Sequence, residues 1–477
     1  MKRILTIFRK DVRHLRPQAL MFWAVLGVVA IDQFPSNWSS GSFLGQLLPA
    51  LQPLACWLLV VNAIHGEKLI GHDQYWLTRP HSWKHLMAAK GLVLVALVNL
   101  PLLVCHVATL AALGIPPLPW LPALLWRQVF FTIYFVLPVA AVAAVTRNLG
   151  QVLLAGILLL VTFGAGSSMS LLIRGGSVDW GGLGWIRHCG TALVVVAGTA
   201  VALALQYSRR RTAFSRAILA GTVVLTVLVM TTPRWGGAFA IQKLFSRERI
   251  GDAAVRISFD ESRTGTQPAR LETASNDRAG VWLEIPMRVE DVPPGAAVGT
   301  GWTSVSLRSA RGTWRSGWLT FHALHDLTVG EAWLTVYVDP DFYTASADAA
   351  VELDATANLT LSRHVRTTPV KLGPTPVPEI GICAWSTYRC YSPFQRVSIG
   401  RARGSPAIPQ ETSPVGPYAP FPTSAGFRPL EPISLMSWPT TDEDGTISLV
   451  IHRPVAYVQR NFQVRGLRMS QFKFPQQ

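Results

Sequence analysis

The sequence predicts a polytopic α-helical membrane domain of about seven spans, followed by a C-terminal all-β, sandwich-like extracytoplasmic domain. Three observations predict it. Long apolar segments are confined to the first half, basic residues flank them, and beyond Arg234 the pattern changes to short stretches of period-two alternation. The chain has 477 residues and a formal net charge of +16, yet of its 27 Asp and Glu only Asp11, Asp32, Glu67, Asp73 and Asp179 precede residue 240. Nearly all the positive charge therefore belongs to the half suited to lipid. Distributed in this way it is a topology signal, and no nucleic-acid partner is expected.

A bilayer span needs about 20 mainly apolar residues. Segments meeting that need lie at roughly 17–33, 43–65, 90–114, 122–145, 150–173, 187–207 and 214–233, the first being short and ending at Asp32. Orientation follows from Lys and Arg, which stay on the cytoplasmic side. The leader carries Lys2, Arg3, Arg9, Lys10, Arg13 and Arg16, and the connection after the second span carries Lys68, Arg79, Lys84 and Lys90. Arg147 and the group Arg209, Arg210, Arg211 and Arg216 mark the next inner loops, whereas the opposite loops hold only Arg174 and the boundary residue Arg187. The N-terminus is thus expected in the cytoplasm, and an odd number of spans puts the chain from 234 onward outside. Failure of the short first segment to cross would reverse that conclusion.

In residues 1–16, Ile4, Leu5, Phe8, Val12 and Leu15 recur at helical spacing, with basic residues on most of the remaining surface. This reads as an amphipathic helix lying in the inner membrane interface, or else as a basic topogenic leader. The spans form the domain 17–233. The β-domain then runs over 234–371, with 372–477 a Pro-rich continuation of it or a second lobe.

Strands are expected at 255–259, 280–289, 302–309, 314–324, 332–339, 350–361, 447–452 and 456–464. The prolines of 372–381 mark a break between lobes. Those of 405–440 exclude a regular helix or a central strand and favour an extended surface excursion. Cys383 and Cys390 suit a disulfide closing a small loop in an oxidising compartment, or two unpaired thiols, while Cys56, Cys105 and Cys189 sit with the apolar spans.

No catalytic constellation is legible. There is no phosphate-binding GxxxxGK[ST], HExxH, GxSxG or dinucleotide fingerprint, so no ATPase, cofactor or metal is expected on this chain. His322, His325 and Asp326 lack a nucleophile, and Asp260 with Glu261, or Asp442, Glu443 and Asp444, are the nearest approach to a hard-cation site. Polar groups inside spans are costly in hydrocarbon and mark a possible substrate path at Asn62, Asn99, His106, Arg127 and Gln128. The bland alternatives are a snorkelling Arg127, an Asn99 that caps backbone freed before Pro101, and a helix-packing face in GAGSSMS at 164–170.

Residues 66–90, GEKLIGHDQYWLTRPHSWKHLMAAK, are too polar to span and dense in aromatic and basic side chains, as a short helix along the inner membrane face would be. A basic leader helix, two spans and a segment QYWLTRPHSWKHLMAAK opening the third span together resemble the membrane subunits of bacterial ABC-2-type transporters. The resemblance covers roughly residues 1–233. It implies an inner-membrane permease that contacts a separate ABC-type ATPase through Asp73, Tyr75, Trp76, Leu77, Thr78, Arg79, Pro80 and Lys84, working as a homodimer or with another permease. The family's usual unit has six spans and no large outer β-domain, so this chain departs from the pattern. The competing expectation is a membrane-anchored envelope sensor or assembly scaffold whose β-domain binds a ligand outside.

Overall fold

The computed structural model describes residues 2–32, 43–66, 82–159, 161, 184–231, 240, 243–244, 246–251, 254–266, 280–319, 324–328, 330–371, 374–378, 380–384, 389–393, 398–401, 409–410, 431–434 and 446–473. An N-terminal helical region is followed by a β-rich region of antiparallel sheets.

The leader folds as α1 (Lys2–His14), and α2 (Arg16–Asp32) departs from it at 68°. Pro17 is tolerated in the first turn of α2 but cannot continue the hydrogen bonding of α1, which is why the break falls here. Ile7 and Leu15 are buried, and Ile4, Phe8 and Val12 pack against the same helical core, whereas Leu5 is exposed. α3 (Phe43–His65) returns beside α2. Next come α4 (Trp83–Leu94), a π-turn at Val95–Asn99 and α5 (Leu100–Ala112), which together form one continuous 30-residue rod. Residues 118–144 repeat the device as α6 (Leu121–Phe131), a second π-turn at Thr132–Val136 and α7 (Leu137–Ala144). α8 (Leu149–Leu159), α9 (Gly184–Arg209) and α10 (Thr212–Thr231) complete the helical region.

Four described helices are long and apolar enough to cross a membrane: Trp83–Ala112, Leu118–Ala144, Cys189–Arg209 and Thr212–Val229. Counting the bent α1–α2 pair as one span makes five. This number and their broad apolar exposure mark a multi-pass membrane protein. The expected segment at 43–65 coincides with α3, in which Leu51–His65 is an apolar stretch, and that at 150–173 overlaps the shorter apolar helix Leu149–Leu159.

In the second half, β1 (Arg256–Phe259), β2 (Val281–Glu290), β5 (Leu324–Thr328) and β6 (Glu331–Val338) form a sheet in the order β1-β2-β6-β5. A six-stranded sheet has the order β12-β11-β14-β7-β3-β4, with β3 Ala296–Ser309, β4 Gly312–Leu319, β7 Val351–Lys371, β11 Ser398–Arg401, β12 Pro409–Gln410 and β14 Thr446–Leu467. Alternate side chains of the two sheets, such as Leu283, Ile285 and Leu334 from one and Leu307, Leu353 and Leu359 from the other, share one apolar core. A short helix, α11 (Pro340–Ser346), joins them, capped by Asp339.

The two strands expected at 447–452 and 456–464 are one, β14, because a register shift between Pro454 and Ala456 absorbs the proline without ending the pairing with β7. The freed Val455 carbonyl accepts from the backbone N–H groups of Arg247 and Glu248, fastening the chain that leads in from α10.

Between β7 and β14 the chain builds a third sheet, β13-β10-β9-β8, from β8 (Pro374–Val377), β9 (Gly381–Ala384), β10 (Arg389–Ser392) and β13 (Glu431–Ser434). The proline-rich stretch expected to break the lobes therefore contains strand β8. Its Pro374 and Pro376 are accommodated because β8 is an edge strand, as are β12 and β13 in the second proline-rich region. The chain's last long strand lies inside the six-stranded sheet, so residues 372–477 are divided between an inserted small sheet and the main β-body.

Candidate functional site

The features that draw attention lie along one rod, residues 83–112. At its start Ser82 caps α4: its Oγ accepts from the backbone N–H of His85 and lies 2.6 Å from the His85 ring. Lys84 is exposed, with its Nζ 5.8 Å from the centre of the Trp83 ring. Asp73, Tyr75, Trp76, Leu77, Thr78, Arg79 and Pro80 lie outside the described residues.

Two turns further on, Lys90 forms an ion pair with Asp11 of α1 at 2.8 Å, with the two side chains only 4% and 8% exposed. This pair was not anticipated from sequence, where Lys90 served only as a topology marker. The available signal was Asp11 itself, the single acidic residue in a leader of six basic ones. A carboxylate there needs a reason, and a buried cation from another helix supplies it.

Near the middle of the rod the π-turn breaks the regular i to i−4 ladder. The Leu97 carbonyl accepts from the Trp23 indole at 3.0 Å. Asn99 reaches across to the second rod. Its Nδ2 donates to the Thr132 hydroxyl at 2.7 Å and lies 3.4 Å from both the Gln128 carbonyl and Oε1. Asn99 thus ties two spans together rather than capping backbone before Pro101. Interhelical bonds of this kind contribute about 0.6–2 kcal/mol each.

Of the five polar residues of the expected path, Asn99 and Gln128 meet, while Asn62 and Arg127 have partners elsewhere. Asn62 turns back on its own helix, donating to the Leu58 carbonyl at 2.8 Å. His106 is buried one and a half to two turns beyond Asn99. Arg127 and Gln128, though adjacent, have different partners: Gln128 faces Asn99, while Arg127 Nε donates to the Pro393 carbonyl of the β-region at 3.0 Å. Arg127 is 3% exposed, so it is enclosed by protein rather than snorkelling to the headgroups.

That bond belongs to a second unanticipated feature, a junction between the far end of the rod and the small sheet. α5 ends in a Schellman motif, in which the Ile115 N–H bonds the Leu110 carbonyl at 2.9 Å and Gly114 N–H bonds Ala111 at 3.0 Å. Gly114 has φ +74°, the left-handed conformation this motif requires. The apolar contact that goes with the motif, Leu110 to Ile115, is shared by Trp120 and Leu124 from the second rod and by Ile382 of β9, with Tyr391 of β10 packed alongside.

Cys383 and Cys390 are joined in a disulfide across β9 and β10, at directly opposed positions. The remaining cysteines, Cys56, Cys105 and Cys189, are free. Asp260 is unsuited to a hard cation. Its carboxylate accepts from Ser262 and Arg263 at 2.6 and 2.9 Å, and Arg288 lies 3.1 Å away. Burial opposes its charge, but these hydrogen bonds and the two guanidinium groups hold its pKa below the ordinary carboxylate value. Among the described residues no three His, Cys, Asp or Glu side chains lie together as a metal site.

Fold and site define the class: a multi-pass membrane protein in which span ends pack against a β-rich region. Compared with protein-family models, with curated proteins and with solved structures, the chain matches none of them.

Proposed function

We propose that the chain is the membrane subunit of an ABC-2-type exporter, borrowing ATP hydrolysis from a separate ATPase and working as a dimer with a second copy or another permease. The observation carrying this reading is the continuity of the 83–112 rod. It leaves the aromatic and basic segment at 66–82, is tied by Lys90 to α1, and reaches the small sheet at its other end. Twenty residues separate Lys90 from Leu110, about 30 Å of helix, which is the thickness of the hydrocarbon core.

Seven crossings, an N-terminus in the cytoplasm and the two larger sheets as an outer β-sandwich complete the proposal. Its topology draws support from α1 and the small sheet meeting opposite ends of one span, whatever the number of crossings elsewhere. Closure of two ATPase subunits against residues 67–84 would displace α4 along its axis. The Lys90–Asp11 pair makes α1 move with it, and the Asn99–Thr132 bond brings the second rod along. A lipid-like, glycan or peptide substrate would leave by the rearranged spans.

A second reading, an envelope sensor or scaffold, is favoured by the buried contact of Arg127 with Pro393, since it gives the β-region a direct hold on the spans. Substituting Trp76 and Arg79 and purifying the full chain in mild detergent separates the two. The transporter reading expects a stoichiometric ATPase that is lost with the substitutions. Unchanged association and unchanged hydrolysis would sink it.

A further inference from the structure

The small sheet β13-β10-β9-β8 has two occupied faces. Neighbouring residues on a strand point to opposite sides, so the opposed pair Ile382 and Tyr391 faces one way and the next pair, Cys383 and Cys390, the other. Ile382 and Tyr391 lie against Leu110, Trp120 and Leu124 at the ends of the two rods. Cys383 and Cys390 lie in a separate buried cluster with Val377, Ile380, Leu449 and Ile451, and Val365 packs against it. Leu449 and Ile451 belong to β14 and Val365 to β7, the two long central strands that continue into the main β-core.

We propose that this sheet is a transducer that couples the seating of α5 and α6 to the outer β-body, with the Cys383–Cys390 disulfide keeping its two faces in fixed relation. The geometry makes it a plate between two apolar contacts, one on the spans and one on β14. The Arg127 bond to Pro393 adds a polar fixture at the end of β10, an inner strand of the plate, one residue beyond it. Each of the plate's strands has only four residues, near the short end of the usual range, so few ladder bonds hold any one strand to the next. The cross-link holds β9 and β10 together when force is applied to either face. Coupling through such an element is reciprocal: a ligand of the outer domain that prefers one seating moves the spans, and span movement alters the outer domain by the same free energy. The proposal requires no ATPase and stands apart from the permease reading.

Hydrogen exchange on the full chain in lipid nanodiscs tests it, read at 110–124, at 381–392 and at 447–452, with β2 and β6 as a check that the β-core remains folded. Trp120→Ala, on the membrane side, is expected to speed exchange at 447–452 by tenfold or more, although Trp120 packs in the cluster on the other face of the sheet from Leu449 and Ile451. Ile382→Asp, which puts a charge into the apolar contact, is expected to do so at both 110–124 and 447–452. In the Cys383→Ala/Cys390→Ala variant all three segments should quicken together, with β2 and β6 unchanged. Exchange at 447–452 within twofold of wild type in Trp120→Ala, or a loosened 381–392 that leaves 110–124 unaltered, would overturn the transducer. Unchanged exchange in all three segments of the double cysteine variant would overturn the part assigned to the disulfide.

Discussion

Asp11 and Lys90 each make the other tolerable. Neither side chain reaches water to any useful extent, and their separation of 2.8 Å gives a strong Coulombic attraction in surroundings of low dielectric. Removing one partner strands a buried charge, which costs about 3–5 kcal/mol, far more than the net worth of the intact pair. Lys90→Met is therefore expected to lower the stability of the α1–α4 junction by that amount. Adding Asp11→Leu should recover much of the loss. Urea or thermal unfolding in detergent, followed by the release of α1 to protease, checks both; equal instability of the single and double variants would contradict the ion-pair account. The pairing was not legible from spacing, because 79 residues separate the partners and only the fold brings them together. What the sequence did display was the oddity of a carboxylate in a basic helix.

At the scale of elements, close packing in the helical region depends on small residues where two helices touch. α9 and α10 come together at Gly198, where an added Cβ would overlap the Thr222 side chain. Thr222 cannot swing clear without losing its bond to the Ile218 carbonyl at 2.8 Å. Gly198→Ala is expected to push the two helices apart at a cost of about 1–3 kcal/mol, whereas Gly221→Ala, which meets open space, should be neutral or slightly stabilising. Thermal unfolding of the two variants side by side in the same detergent checks the contrast, and similar midpoints would refute it. Helix ends are likewise decided by neighbours: Arg216 Nε and Nη2 donate to the Val145 carbonyl at 3.0 and 2.9 Å, closing the end of α7. In sequence Arg216 was one of several inner-loop cations. Its individual task follows from which helix end lies within reach.

For the whole molecule, the β-region should set the response to acid. His452 is buried on β14 beside His364, their rings 5.8 Å apart. Burial, with a smaller contribution from His364, lowers its pKa from 6.5 to about 4. Between those values the unfolded chain takes up a proton that the folded domain refuses. Stability is complete above about pH 6.5 and is lost as the pH falls towards 4, by on the order of 2–3 kcal/mol. The depressed pKa of Asp260 acts in the same direction at lower pH, below the ordinary carboxylate value, since its ion pairs hold only while it is ionised. Denaturant unfolding of the full chain at pH 7 and pH 5, with His452→Gln as the comparison, checks this: wild type should lose stability between the two and the variant should lose less. An equal loss would assign the effect elsewhere.

The sequence by itself determined the division of the molecule. Apolar run length separates helices suited to lipid from strands suited to a half-buried sheet, and a period of two identifies the strands. These are local signals, because each residue's side of an element depends only on its immediate neighbours. Only tertiary structure decided what the elements do together. It joined 447–452 to 456–464 across Pro454, placed β14 beside β7, and made an edge strand from a proline-rich break. It also gave Asp11, Asn99 and Arg127 partners on other elements, up to 266 residues away for Arg127 and Pro393. The reason is physical: a buried polar group must be satisfied, but nothing in its own stretch of chain specifies which distant group will do so.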